Sequence, residues 1–300
     1  NAVKGEWLMK FLPDDDSSLG CYYTCQRPVR GAPVVNLSVL TLNIWNYEGP
    51  WRERLALIRD WIRLLDPDLI GMQEVLLGEN YDQAAEIFDG LDYDRRYEGP
   101  MAYWNDTSLQ FGNLVASRWP IGESIPILLP MEGRDDQRVL LATTIDAPFG
   151  EIPFYATHLT SKPHDGYIRE KQVRAIGETI LSRRKRGGLP VILCGDFNAE
   201  PDSAEMRYIR GLDSLGGKSL HLLDAWNLAG DATPGHTFTC QTPYRSYRQL
   251  DQRLDYIYVE RVPNDEITIQ RCSIVCNLPR HGVYPSDHFG VFAELHVPGD

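Results

Sequence analysis

A membrane-spanning segment is missing: no apolar run in the 300 residues approaches the roughly 20 needed to cross a bilayer. No interfacial apolar helix stands out either, so stable membrane insertion is not expected and action on lipid surfaces has no positive support. The start of the chain lacks the charged-then-apolar pattern of a secretory leader, although it begins Asn1-Ala2 without a methionine, which leaves a removed leader open. Positive charge is short. Lys and Arg number 30 against 42 Asp and Glu, a net charge of −12, which weakens the case for a nonspecific binder of long nucleic acids. It does not exclude one, because a local basic rim or a bound metal can supply charge at a cleft. Linkers, internal repeats and low-complexity tracts are absent. The six cysteines form no framework: Cys21 and Cys25, like Cys272 and Cys276, have no histidine partners arranged for zinc, and Cys194 reads as a small buried hydrophobe. Reduced thiols, a cytoplasmic address and a monomer are the expectation, with secretion as the alternative.

What is present is enough apolar residue, 43% of the 300 residues in a chain of 34.1 kDa, for one large core. The expected organisation is an N-terminal extension over 1–35 and a single domain over 36–300. Trp51, Leu55, Ile58, Ile62 and Leu65 make a helical stripe stopped by Asp66-Pro67, and a second helix is expected from Tyr81 to Phe88. Strands are expected near Leu114–Ser117, Val139–Ile145 and Ile152–His158. A further helix covers Ile168–Leu181 and ends in Arg183-Arg184-Lys185-Arg186-Gly187-Gly188, where cations suit the helix dipole and glycine a cap, with a nucleic-acid patch as the alternative reading of the basic run. The order strand, helix, strand occurs twice, ending once at Glu74 and once at Asp196, which suggests two packed sheets with helices outside. Asn227–Leu250, with Gly230, Pro234, Gly235 and Pro243, reads as a long loop, expected to flank a cleft with Tyr244, Arg245, Tyr247 and Arg248 as candidate contacts, or else packed on the surface without a functional role.

The chemistry concentrates where apolar strands end in polar side chains. Leu189–Cys194 leads into Gly195-Asp196-Phe197-Asn198, and residues two apart in an extended chain share a face, so Asp196 and Asn198 point the same way. A carboxylate beside a carboxamide suits a site where water loses a proton and a phosphate oxygen accepts a hydrogen bond; a turn capped by Asp and Asn is the plainer alternative. Pro285-Ser286-Asp287-His288 precedes another strand, and since neighbours on a strand face opposite sides, a carboxylate from another strand is the better candidate partner for His288, with Asp255 of Arg253-Leu254-Asp255-Tyr256 placed for it; a satisfied structural histidine is the plainer alternative. Asn43, Glu74 and His158 interrupt apolar strands in the same manner, each open to a structural reading as a hydrogen-bonded strand end.

Taken in order, Thr41-Leu42-Asn43, Gly71-Met72-Gln73-Glu74-Val75, Ala156-Thr157-His158-Leu159, Gly195-Asp196-Phe197-Asn198, Arg253-Leu254-Asp255-Tyr256 and Ser286-Asp287-His288 resemble the endonuclease/exonuclease/phosphatase superfamily over nearly the whole chain. The resemblance implies a four-layer α/β/β/α sandwich of two mixed sheets, and a metal-dependent hydrolase of phosphate esters. It implies that Glu74 binds a divalent metal with Asn43 and Asp287 close by, Mg²⁺ first and Mn²⁺ as substitute. It further implies that Asp196 activates water, that Asn198 and His158 hold phosphate oxygens, and that His288 with Asp255 stabilises charge on the phosphoryl group. The expected partner is a phosphate ester, nucleic acid included. A non-catalytic binding member of the same fold is the competing reading, as is a phosphomonoesterase.

Overall fold

The computed structural model describes residues 34–185, 188–245, 250–261 and 267–298. Cys21, Cys25, Arg186, Gly187, Tyr247 and Arg248, singled out above, lie outside the described residues, as does nearly all of the expected extension. The chain runs β1 (Val34–Asn43), α1 (Trp51–Leu65), β2 (Leu69–Gly78), β3 (Tyr81–Asp82), α2 (Gln83–Ile87), β4 (Asp94–Tyr103), β5 (Asp106–Ser117), β6 (Ile121–Leu128), β7 (Val139–Ala147) and β8 (Gly150–His158). It continues with α3 (Gly166–Arg183), β9 (Ile192–Asp196), α4 (Ala204–Ile209), β10 (Leu222–Asp224), α5 (Ala225–Ala229), β11 (Asp255–Glu260), β12 (Thr268–Val275) and β13 (Gly290–Pro298).

One sheet has the order β12-β13-β1-β2-β5-β4, with β3 on β2, and the other β10-β11-β9-β8-β7-β6. Each is mixed, and each holds one parallel pair at its centre: β1 with β2 across α1, and β8 with β9 across α3. The inner faces meet in a core containing Val39, Leu69, Val115, Phe154, Ala156, Ile192, Cys194 and Ile257. Leu40, Leu42, Ile70 and Met72 point outward to Leu55, Ile58 and Ile62 of α1, while Leu193, Tyr256 and Tyr258 point outward to Val173, Ile176 and Ile180 of α3. This alternation of strand residues between two apolar environments produces the four layers and explains strands with almost no polar positions. Where the sheets cross, Gly71 abuts the sulfur of Cys194, and any side chain at 71 would collide with it.

The first helix spans the stripe read from the sequence, and Asp66 ends it in the left-handed conformation with its N–H on the Ile62 carbonyl at 2.8 Å. Tyr81 and Asp82 instead pair with β2, and Asp82 accepts from the Ala85 N–H at 2.8 Å, so the second helix begins only at Gln83. At the end of α3 the expected glycine cap is not what stops the helix: Arg184 turns extended, with φ −58° and ψ 122°. Arg183, Arg184 and Lys185 are paired with Glu123, Glu260 and Glu151. The expected strand at Leu114–Ser117 is the inner end of β5. Among the described residues no helix is long and apolar enough to cross a membrane, and Cys194, Cys240, Cys272 and Cys276 are free thiols.

Candidate active site

Parallel strands present their carboxyl ends to one edge, where open α/β sheets gather ligands. Here Asn43 closes β1, His158 closes β8 and Asp196 closes β9, while Glu74 lies near the middle of β2 beside the end of β1. The loop before β13 adds Asp287 and His288, and the start of β11 adds Asp255 opposite Asp196. Glu74, His158, Asp196, Asn198, Asp287 and His288 line one cavity of about 680 Å³. Asn43 and Asp255 stand behind it, bonded to those that face it. All of the residues singled out from strand ends are thus brought together.

Glu74 reaches the cleft through a distortion. The pairing of β2 with β5 shifts register between Met72 and Val75, and Glu74 takes φ 61°, a left-handed conformation rare for a side chain of this kind. Its carboxylate oxygens accept from the Asn43 amide at 3.2 Å and the Asn46 amide at 2.7 Å. The second N–H···O contact of Asn43 goes to Asp196 at 3.0 Å and ties the two sheets together at the site.

Asp196 and Asn198 converge, but not by strand alternation. The strand ends at Asp196, Asn198 adopts φ 50°, and its backbone N–H donates to Asp196 Oδ1 at 2.9 Å while its amide donates to the Leu159 carbonyl at 3.1 Å. The Asp–Asn turn and the shared cleft are one arrangement, because a short polar side chain can cap its own turn in the left-handed region. Gly195, at φ 148°, lies against the Thr157 carbonyl so closely that any Cβ would overlap it. Burial pushes Asp196 up to about 7, and the nearby Asp255 charge adds to the rise; His288 and the Asn43 hydrogen bond pull it back.

His288 Nδ1 lies 2.8 Å from Asp255 Oδ2, as the strand argument anticipates, and Nε2 lies 3.8 Å from Asp196 Oδ2. Burial works against an imidazolium there, yet Asp255 and Asp196 outweigh it and hold the pKa well above the ordinary value. His158 behaves oppositely: burial, then the charges of Arg138 and His288, push it well below. Its Nε2 stands 3.5 Å from Asp196 Oδ2, and its buried Nδ1 has no partner among the described residues. The site therefore holds one charged and one neutral imidazole around a single carboxylate, which is a means of separating acid and base roles.

Arg54 was invisible in the sequence. Its buried guanidinium donates to the carbonyls of Ile44, Trp45, Asn46, Glu48 and Pro285 at 2.7–3.1 Å, and so fixes both the loop that carries Asn46 and the loop that carries Asp287. Trp45 and Asn46 sit at φ 54° and 33° within its grip. Side chain to backbone bonds leave no pattern in sequence; only the placement of an arginine beside the stripe of α1 hints at it. Thr237 is equally silent: its hydroxyl accepts from the Leu254 and Asp255 N–H groups at 3.0 and 3.2 Å.

Of the expected loop, Phe238 lines the cleft, and Gln252 and Leu254, just past the loop's expected end, line it too. Tyr244 and Arg245 do not line it. Tyr244 packs on Trp45 with ring centroids 4.7 Å apart, and Arg245 is buried over Phe238, 3.9 Å from that ring's centroid, bonded to the Phe238 and Leu250 carbonyls. They shape the loop, and Phe238 in turn packs against His288 at 4.7 Å.

The donor chemistry suits a hard cation. Glu74 and Asp287 share the cavity; burial pushes Asp287 up to about 6, His288 opposes that, and the Glu74 charge adds to it. Among the described residues neither carboxylate has a Lys or Arg ion pair, so their mutual repulsion and the surrounding carboxamides fit an oxygen-preferring divalent ion. Asp196, Asp255 and His288 also bring ligand atoms within 4.8 Å of one another, although the Asp255 hydrogen bond already engages His288 Nδ1.

The sequence model of the Endonuclease/Exonuclease/phosphatase family matches residues 40–288. Nocturnin of Rattus norvegicus is 24% identical over 262 residues, which cover 82% of this chain and 58% of that protein. Carbon catabolite repressor protein 4 homolog 3 of Arabidopsis thaliana is 28% identical over 171 residues, 51% of this chain and 34% of that protein. The chain thus spans about a third to under two thirds of the length of these relatives. In fold it is similar to D. rerio TDP2 complexed with a single strand DNA product, with TM-score 0.70, 20% identity and coverage of 87% of this chain and 98% of that one. The human nocturnin catalytic domain with bound sulfate anion gives TM-score 0.68, 20% identity and coverage of 88% and 97%.

Proposed function

This chain belongs to the endonuclease/exonuclease/phosphatase family, and from that premise we propose that it is a divalent-metal-dependent hydrolase of phosphate esters, acting on phosphodiesters by attack of water on phosphorus. The observation that carries this reading is the buried carboxylate Asp196, contacted by Asn43 on one side and two unlike imidazoles on the other and pushed up to about 7. A base with a pKa near neutrality can take a proton from water and still exist unprotonated at pH 7.

In this mechanism Asp196 orients the water and accepts its proton, and Asn43 keeps the accepting oxygen in place. His288, held charged by Asp255, stabilises negative charge as it builds on the phosphoryl oxygens. His158, kept neutral by burial and Arg138, donates an N–H to a phosphate oxygen, and Asn198 donates beside it. Glu74 and Asp287, with Asn43 and Asn46 bracing Glu74, would hold the cation, Mg²⁺ or Mn²⁺. That cation supplies positive charge at the phosphate oxygens. The single strand DNA product bound by the fold neighbour TDP2 and the sulfate anion bound by human nocturnin support a phosphate-bearing ligand for this chain.

The test is hydrolysis under Mg²⁺ and then Mn²⁺ of bis-p-nitrophenyl phosphate, p-nitrophenyl phosphate, single-stranded DNA, RNA, inositol phosphates and sphingomyelin, with Asp196→Asn as blank. Turnover of diesters above the blank is the expected result. Turnover confined to the monoester would make the protein a phosphomonoesterase, and none at all would leave a binding role.

A further inference from the structure

The two parallel strand pairs are built alike. Asn43 closes β1 before α1 returns the chain to β2, and His158 closes β8 before α3 returns it to β9. Arg54 is the fourth residue of α1, and Arg169 is the fourth of α3. Both are buried, at 0% and 5% exposure, and long helical side chains lean back toward the helix start, which carries each guanidinium to the loop that leaves the strand. Arg54 holds the Ile44 carbonyl just past Asn43. Arg169 Nη1 donates to the carbonyls of Thr160 at 3.3 Å and Lys162 at 2.9 Å, shortly past His158, and Nη2 donates to that of Pro163 at 3.5 Å. Its Nε is held by Glu205 Oε1 of α4 at 2.7 Å, while Gln172 of the same helix accepts from the Thr160 N–H at 3.1 Å. A planar fork that keeps its charge when buried can meet several carbonyls at once.

The second clamp holds the side of the cleft where His158 and Asn198 face the phosphate in the proposed mechanism. Only Leu159 separates His158 from the clamped carbonyls; its N–H donates to the Asp196 carbonyl at 2.9 Å, and its own carbonyl takes the Asn198 amide at 3.1 Å. The segment pinned by Arg169 therefore sets how His158 and Asn198 approach each other, and its Ser161 and Pro163 line the cavity. Arg169 reaches the cavity wall as well, but its fork is spent on carbonyls and on Glu205. The charges that act on His158 are those of Arg138 and His288, so Arg169 works through backbone geometry. Across the cleft, Arg54 bonds the loops that carry Asn46 and Asp287, beside the carboxylates suited to the cation.

We propose that Arg169, braced by Glu205, is a positioning residue for the phosphate-holding side of the site, the counterpart of Arg54 on the cation side, so that substrate affinity and cation affinity are set by separate clamps. This rests on the phosphate-ester hydrolase reading and deepens it.

The test measures KM for bis-p-nitrophenyl phosphate, the inhibition constant of inorganic phosphate and the Mg²⁺ needed for half-maximal activity, in the parent, Arg169→Met/Glu205→Gln and Ile180→Ala. The double variant leaves no lone buried carboxylate, and Ile180→Ala loosens the far end of the same helix in the core. In the double variant KM and the inhibition constant should rise together by about 10-fold, with the Mg²⁺ requirement within about 2-fold of the parent. Ile180→Ala should melt lower and keep the parental value of all three. A double variant that departs from the parent no more than Ile180→Ala does, or whose Mg²⁺ requirement rises as much as its KM, overturns the proposal. Should it not fold, Arg169→Lys, which keeps a charge beside Glu205 but lacks the fork, is judged by the same criterion. If the parent hydrolyses no ester, the hydrolase reading fails on its own, and calorimetry with inorganic phosphate in Mg²⁺ decides the clamp. Phosphate bound about 10-fold more weakly by the variant supports it, and equal binding, or none by the parent, overturns it.

Discussion

In the proposed mechanism Asp196 is the residue on which the chemistry turns. Replacing it with Asn keeps the size and the Asn43 contact but removes the proton acceptor, so kcat should fall by at least about 10²-fold with KM little changed, measured on the best diester. A variant within a few-fold of the parent rate would remove Asp196 from the base role. Its burial also links stability to pH. In chelated protein the folded state keeps protons on Asp196 and Asp287 up to about 7 and about 6, against about 4 in the unfolded chain. The folded state therefore binds more protons between those values, and stability falls as pH rises through that window. His288, raised, acts in the same direction above its ordinary value; His158, lowered, acts oppositely below it. Calorimetric melting in chelator should give a Tm lower at pH 8 than at pH 6 by about 3 °C or more, and excess Mg²⁺ should narrow the gap. A Tm that climbs from pH 6 to pH 8 would contradict the buried-carboxylate account.

At the scale of elements, loops are held by a few buried groups that act on backbone. Arg54→Met keeps the apolar bulk of the side chain but frees the carbonyls of Ile44, Trp45, Asn46, Glu48 and Pro285. Because those loops place Asn46 and Asp287, the variant should need about 10-fold more Mg²⁺ for half-maximal activity and should melt lower. An unchanged metal requirement with only a lower Tm would make Arg54 a stabilising residue and nothing more. Gly195→Ala tests the β8–β9 pairing: at φ 148°, with the Thr157 carbonyl in the way, it should cost about 3 kcal/mol or more in urea unfolding and displace Asp196. The edge strands show why some elements escape sequence reading. All of β4 but its last residue is partly buried or exposed, and β6 and β12 likewise lack the apolar alternation that betrays a half-buried strand.

For the whole molecule, two sheets each contribute one parallel strand pair, and the cleft forms where their carboxyl ends meet. Activity should vanish on chelation and return with Mg²⁺ or Mn²⁺; full turnover in excess chelator would exclude Glu74 and Asp287 as cation ligands. The sequence by itself determined the two sheets, since strands ending at Asn43, His158 and Asp196 are apolar on both faces and two strand-helix-strand units connect them. It also pointed to Asp255, a carboxylate from another strand, as the better candidate partner of His288. It could not determine the left-handed Glu74 on its bulge, the turn by which Asn198 reaches Asp196, or the hold of Arg54 on two loops. Local pattern reports which way a side chain faces along its own strand. Contacts between the backbone of one segment and a side chain from another are set only when the sheets have packed, and that is where this cleft acquires its geometry.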